Sequence, residues 1–405
     1  MKTTKIQRTT QSTQDMDPEY SWLSRSKDEH RGVRTKYCIT HNPNTAQPGE
    51  DINVNLSSLG STYAIDPNSI NLKFSIAKSE TDAKFFNNIS ANLVQRLVVK
   101  IAGNTIYDNC CEGLLRNYTD LWLSQRAREE LTEYGLMADA SRNVTDKSDA
   151  GSKFIGDIFK TKKIPIGKII TDQGVMVPCE MRENFSFTIV LADSDKVLDK
   201  GSYILSNIEI EYDSLDFPKL KKEVIRNYNF GKAFPFRKVS CLRQSVWTKD
   251  SMLINENIAI SLTCLNQIVM LFTKTKRSGS EEFVFPGVNK VDITFKGVPA
   301  CVYNSGMKTV DLLTEARKTF SGHMNPQHFF CGNRFALCVD LRGSFTPDEY
   351  GNGRSTQEGM DIVLAIRRSK EMMGENPEDL NCYIFVVSDA ILNLTSKGMT
   401  SFYEY

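Results

Sequence analysis

Apolar and polar positions alternate along most of this chain in runs of five to nine residues. In NLKFSIA, Leu72, Phe74 and Ile76 fall on one side. In NFSFTIVLA, Phe185, Phe187, Ile189 and Leu191 do the same, and in SNIEIEYD, Ile208, Ile210 and Tyr212 alternate with glutamates. A period of two over this length predicts half-buried antiparallel strands. In the first half the runs fall near 33–40, 51–57, 69–78, 93–102, 104–108, 164–179, 184–192 and 203–213. In the second they fall near 234–247, 256–264, 266–275, 288–296, 299–303, 334–342, 360–368 and 381–394. A helical period takes over at 112–134, where Leu114, Leu115, Leu121, Trp122 and Leu131 oppose Arg126, Arg128, Glu129 and Glu130. A shorter helix is predicted over 308–320.

The two sets match piece by piece. LVVKIAGNTIYDN (97–109) parallels VDITFKGVPACVYN (291–304), with Gly103 and Gly297 standing 194 residues apart, and each block is followed by its predicted helix. Downstream, IVLA recurs at 189 and at 362, and upstream SIAKS at 75 is echoed by LFTKT at 271. The order is the same in both halves. A repeat of this length is too long for a solenoid unit and reads as two tandem domains of one fold. Eight antiparallel strands per half predict an all-β chain of two tandem eight-stranded jelly rolls, with one short helix per half and long loops. The expected division is an N-terminal arm at 1–32, a first jelly roll at 33–215, a linker at 216–235 and a second jelly roll at 236–405. Irregular stretches at 137–163 and 343–358 interrupt the pattern and read as long loops.

At 405 residues the chain exceeds the size of most single cores. Its 40% hydrophobic and 24% charged residues are ordinary for a globular protein. Apolar runs such as 268–272 are far too short to span a bilayer, and the first 20 residues lack an apolar core of the secretory kind. Ten cysteines without a CxxC pair read as reduced thiols, with Cys264, Cys338 and Cys382 inside core strands. The six N-x-S/T sequons, Asn88 and Asn117 among them, read as chance.

Candidate chemistry is sparse. His323, His328 and Cys331 lack a regular zinc spacing, and Pro326 is expected to break any helix that would align them. Cys110 and Cys111 are adjacent and show no partner in the sequence, so they read as idle thiols. There is no GxSxG elbow, HExxH, Walker loop or strand-linked GxGxxG. The expectation is therefore no catalytic residue, no cofactor and no metal site. The aromatic pairs Phe185/Phe187, Phe234/Phe236 and Phe329/Phe330 read as core, whereas Trp247 is left undecided between core and interface.

Net charge is +1, which argues against a chain that coats nucleic acid over its whole surface. The uneven place is 219–243, where eight Lys/Arg meet Glu223 alone. Lys219, Lys221, Lys222, Arg226 and Lys232 are the candidate contacts for packaged DNA, an internal membrane or an acidic partner. The arm adds eight basic residues against five acidic ones over its first 36 positions.

The duplicated VVKIAGNTIYDN and ITFKGVPACVYN blocks, with the closing blocks SNIEIEYDSLDF and LNCYIFVVSDAILNL, resemble the double jelly-roll major capsid proteins of the adenovirus-hexon and phage-PRD-one lineage. The Polinton/Maverick and adintovirus-like proteins are the nearest in flavour. The resemblance covers about 33–396 and lies in order, spacing and duplication. It implies a homotrimeric, pseudo-hexagonal capsomer in the shell of an icosahedral double-stranded DNA virus, made and assembled inside the host cell. It also implies neighbouring capsomers and penton or minor capsid proteins as partners, and neither enzyme activity nor a small-molecule substrate. A minor or vertex capsid protein and a tandem β-sandwich binding module remain the alternatives.

Overall fold

A computed structural model describes residues 33–404, apart from 57–62, 102–103, 132–160, 166–176, 179–184, 217–231, 277–281, 296, 300–302, 304, 323, 344–350, 358–360, 374–376 and 396–397. The first half runs β1 (Val33–Thr40), β2 (Thr45–Ala46), β3 (Asp51–Asn55), β4 (Tyr63–Lys78), α1 (Ile89–Leu93), β5 (Val94–Ile101), β6 (Asn104–Asn109), α2 (Glu112–Asp120), α3 (Gln125–Glu130), β7 (Thr161–Pro165), β8 (Val177–Pro178), β9 (Phe185–Leu191) and β10 (Tyr203–Asp216). The second runs β11 (Lys232–Trp247), β12 (Leu253–Ile258), β13 (Leu265–Lys274), β14 (Val288–Phe295), β15 (Val298–Pro299), β16 (Met307–Lys308), α4 (Thr309–Phe320), α5 (Pro326–Phe330), β17 (Ala336–Asp340), β18 (Ile362–Arg368), β19 (Leu380–Thr395) and β20 (Gly398–Glu404).

Strand order identifies the fold. One sheet of the first half is β1-β10-β4-β7 and the other β3-β9-β5-β6, with β2 and β8 attached at the side. The second half repeats this as β11-β19-β13-β17 and β12-β18-β14-β15. Numbering the eight principal strands of each half in chain order gives 1-8-3-6 facing 2-7-4-5 both times. That is the jelly roll, so the chain is an all-β double jelly roll. The alternating residues do what their period predicts: Leu72, Phe74, Phe187, Ile189, Leu191 and Tyr212 are buried in one core that joins both sheets of the first half. β13, apolar over 268–272, is a central strand between β17 and β19 and is buried along nearly its whole length.

The repeated sequence blocks occupy equivalent strands. SIAKS and LFTKT fall in β4 and β13, the third strand of each half. The long block forms β5–β6 and β14–β15, and IVLA lies in β9 and β18.

The helix predicted over 112–134 is divided. α2 ends at Asp120, Leu121 and Trp122 turn inward, and Ser124 starts α3 by accepting from Ala127 N. Arg128, expected on an exposed face, is 7% exposed. Pro326 opens α5 at its first turn instead of breaking a helix, with Asn325 Oδ1 accepting from Gln327 N at 2.8 Å. β20 and α1 have no counterpart in the expected elements. Trp247 is core: it is 2% exposed and its indole N–H donates to Glu256 at 2.9 Å. The sequons at Asn88 and Asn117 are buried.

Candidate functional site

The two jelly rolls meet through the first half's connection between its fifth and sixth principal strands. α2 packs down on α1 so closely that a Cβ on Gly113 would strike the carbonyl oxygen of Ala91. Its other side enters the neighbouring half. Tyr118, Leu121 and Trp122 belong to the core of the second jelly roll, with Leu114 and Leu115 packed against it. Tyr118 stands edge-on to Phe283 and Phe320, both with centroids at 4.9 Å, and its hydroxyl donates to the Arg334 carbonyl at 3.1 Å. Complete burial holds that phenol well above its ordinary pKa. In return, Phe236, Ala390 and Leu392 of β11 and β19 join the first core, and Val239 borders both. The exchange of side chains joins the pair through both cores.

The register places the ends of this unit. Val33 pairs with Asp216, and Lys232 with Leu394. The arm therefore enters the first jelly roll beside the point where the chain leaves it for 217–231. Tyr203 pairs with Lys78 and Ser75 with Thr161, so α1, α2 and the start of β7 lie at the opposite end. Of the basic candidates, Lys219, Lys221, Lys222 and Arg226 lie outside the described residues, as does the arm at 1–32. Lys232 opens β11. Further along the same charge run, Arg243 is spent internally in an ion pair with buried Glu256.

Several polar groups that sequence reasoning missed tie loops to strands. Buried Asp389 accepts from Asn266 Nδ2 at 2.5 Å and from the Gly351 N–H at 2.6 Å, and Cys264 Sγ accepts from Gly353 N at 3.0 Å. This fastens residues 351–353 of the 343–358 segment. Arg368 donates to the carbonyls of Pro286, Thr248 and Ser251 at 2.8, 2.7 and 3.0 Å. Its guanidinium lies 5.9 Å over the Trp247 ring.

His323 lies outside the described residues, while His328 and Cys331 are exposed. The fold does bring together Cys110, Cys111 and Cys241, whose sulfurs all lie within 4.8 Å of one another. Hydrogen bonding from Cys241 is the main cause of a Cys111 thiol lowered to about 7, with Cys110 and Lys196 acting in the same sense. Cys264, Cys338 and Cys382 are buried, and burial raises all three.

No protein-family description and no curated protein matches this chain by sequence. Solved structures do match by shape. The PBCV-1 virus capsid chain superposes with a TM-score of 0.62 at 10% identity, over 93% of this chain and 98% of that one. The faustovirus major capsid protein gives 0.58 at 8% identity, over 96% of each chain. The mavirus major capsid protein gives 0.56 at 9% identity, over 92% of this chain and 90% of that one. Along nearly its whole length, the fold of this chain is therefore the double jelly roll found in viral major capsid proteins.

Proposed function

We propose that this chain is a major capsid protein of an icosahedral double-stranded DNA virus. Three copies close into a pseudo-hexagonal capsomer that tiles the shell, and the protein acts by self-assembly without catalysis. One observation carries the reading: the same jelly roll is built twice and welded through exchanged core residues, in a fold shared end to end with major capsid proteins. A rigid pair of like domains supplies one third of a six-sided ring, and a closed three-fold supplies the rest.

The junction within the chain suggests how copies meet. The first half buries its fifth-to-sixth-strand connection against the second half. The equivalent connection of the second half leaves Val310 of α4 74% exposed, and Val298 of β15, the strand before it, is 64% exposed. In the trimer this face meets the first jelly roll of the next copy. The domain division proposed with it is arm 1–32, first jelly roll 33–215, linker 216–235 and second jelly roll 236–405. The arm and the basic residues Lys219, Lys221, Lys222, Arg226 and Lys232 lie toward the shell interior, near packaged DNA or an internal membrane. Penton or minor capsid proteins fill the remaining vertices, and the protein resides in the virion capsid after assembly in the host cell.

Electron microscopy of the purified protein tests the capsomer. Hexagonal outlines with three-fold averages are expected, and they are lost in Val310→Asp. Two-lobed single molecules in the unaltered protein would contradict the proposal. Deleting residues 1–30 should leave capsomers intact and impair shell formation; shells of normal yield would remove the arm from the account.

A further inference from the structure

We propose that Cys110, Cys111 and Cys241 form a three-thiolate zinc site that clips the first jelly roll to the second. The cysteines come from separate elements: Cys110 and Cys111 form the turn from β6 into α2, and Cys241 lies in β11 of the other half. Their three sulfurs fall within 4.8 Å of one another. Two thiolates each about 2.3 Å from a tetrahedral zinc stand roughly 3.8 Å apart, so small side-chain rotations close the site.

The backbone around the cluster is shaped for it. The ladder between β11 and β19 shifts register between Cys241 and Arg243, and a bulge of this kind re-aims the side chains beside it. Cys111 is the residue that precedes the first turn of α2, and its N–H donates to Asn109 Oδ1 at 3.2 Å. Lys196 lies within electrostatic reach of the Cys111 sulfur. Lys196 also offsets the single negative charge left when three thiolates bind a divalent cation. Cys110 is exposed, so a water can complete the fourth position. Sulfur donors select zinc or other soft ions over magnesium and calcium. A disulfide would use two of the sulfurs and leave the convergence of the third without a role. The sequence offered no sign of the site because its third ligand is 130 positions from the second.

The test uses the full chain, reduced and stripped of metal, titrated with Co²⁺ as an absorbing probe and then with Zn²⁺. One equivalent of Co²⁺ should produce thiolate-to-cobalt charge transfer, which one equivalent of Zn²⁺ abolishes. Cys110→Ser and Cys241→Ser should each weaken binding at least about tenfold, the loss that even an outer-shell change produces. Cys331→Ser, exposed and outside the cluster, should bind as the unaltered protein does. Should Cys241→Ser fail to fold, exposed Cys110 still decides the matter. Zn²⁺ should also raise the unfolding temperature of the unaltered chain but not of Cys110→Ser. Absence of the cobalt band, binding unchanged in Cys110→Ser, or a Cys111–Cys241 disulfide as the main state of protein isolated under nitrogen would overturn the proposal.

Discussion

The indole of Trp122 stacks on the ring of Phe320, with centroids 5.6 Å apart and planes 15° apart, although the two residues belong to different jelly rolls. Gly322 makes room for this contact. A Cβ there would lie 2.7 Å from the Trp122 carbonyl oxygen and 2.9 Å from the Trp122 Cβ. The stacked pair anchors a residue of the first half in the core of the second.

Trp122→Ala should therefore cost about 3–5 kcal/mol, the range for deleting a large buried aromatic. Because the indole ties one domain to the other, denaturant unfolding followed by fluorescence and circular dichroism should split into two transitions. A single transition with a loss below about 1 kcal/mol would mean that the halves are held together elsewhere.

Arg368 makes a second prediction. It is 7% exposed and its charge is met by three carbonyls instead of a carboxylate. Arg368→Met removes the donors and leaves buried acceptors, at a cost of about 3 kcal/mol given the usual value of bonds to charged groups. Lysine keeps the charge but not the fork, so Arg368→Lys should recover only part of the loss. Chemical denaturation of both variants measures this, and equal stability of Arg368→Met and the parent would refute it.

Glu209 sets a small acid dependence. It accepts from Cys38 Sγ and Lys73 Nζ, each at 3.0 Å, and these two bonds, in that order, lower its pKa from 4.5. A lowered carboxyl releases its proton more readily in the folded state, so it stabilises the fold above 4.5. The contribution fades as the pH falls below that value through the folded-state pKa. The side chain is about a third exposed, which limits the effect to under about 1 kcal/mol. Glu209→Gln should lower stability slightly at neutral pH and not at all in strong acid. An equal deficit at both would contradict the assignment.

Charge reversal at Lys219, Lys221, Lys222 and Arg226 should leave the capsomer's mass unchanged and reduce its binding to DNA. Up to four fewer phosphates are then neutralised, so the slope of log affinity against log salt should flatten by about 3–4. Unchanged packaging and an unchanged slope would remove this segment from the shell interior.

Much of the fold was legible because both halves repeat the same period-two pattern. IVLA at 189 and 362 could be aligned by eye, and its inward residues Ile189, Leu191, Ile362 and Leu364 are indeed buried. The break of the 112–134 helix was not legible, since Leu121 and Trp122 fit a helical stripe and are pulled out of it by the core of the other domain. Arg368 was readable and missed: it continues the inward series Ile362, Leu364, Ile366, and a charge on that face must find buried partners. Glu256 stands likewise on the inward face of β12. The approach of Cys241 to Cys110 and Cys111 depends on how two domains dock, which no local pattern encodes.

The solution mass of the purified chain, measured by light scattering, decides whether the three-fold capsomer forms. The chain has a mass of 45.8 kDa, so a capsomer of 3 × 45.8 ≈ 137 kDa, or larger shells built from that unit, is expected. A monomer that persists at 45.8 kDa across a wide concentration range would contradict it.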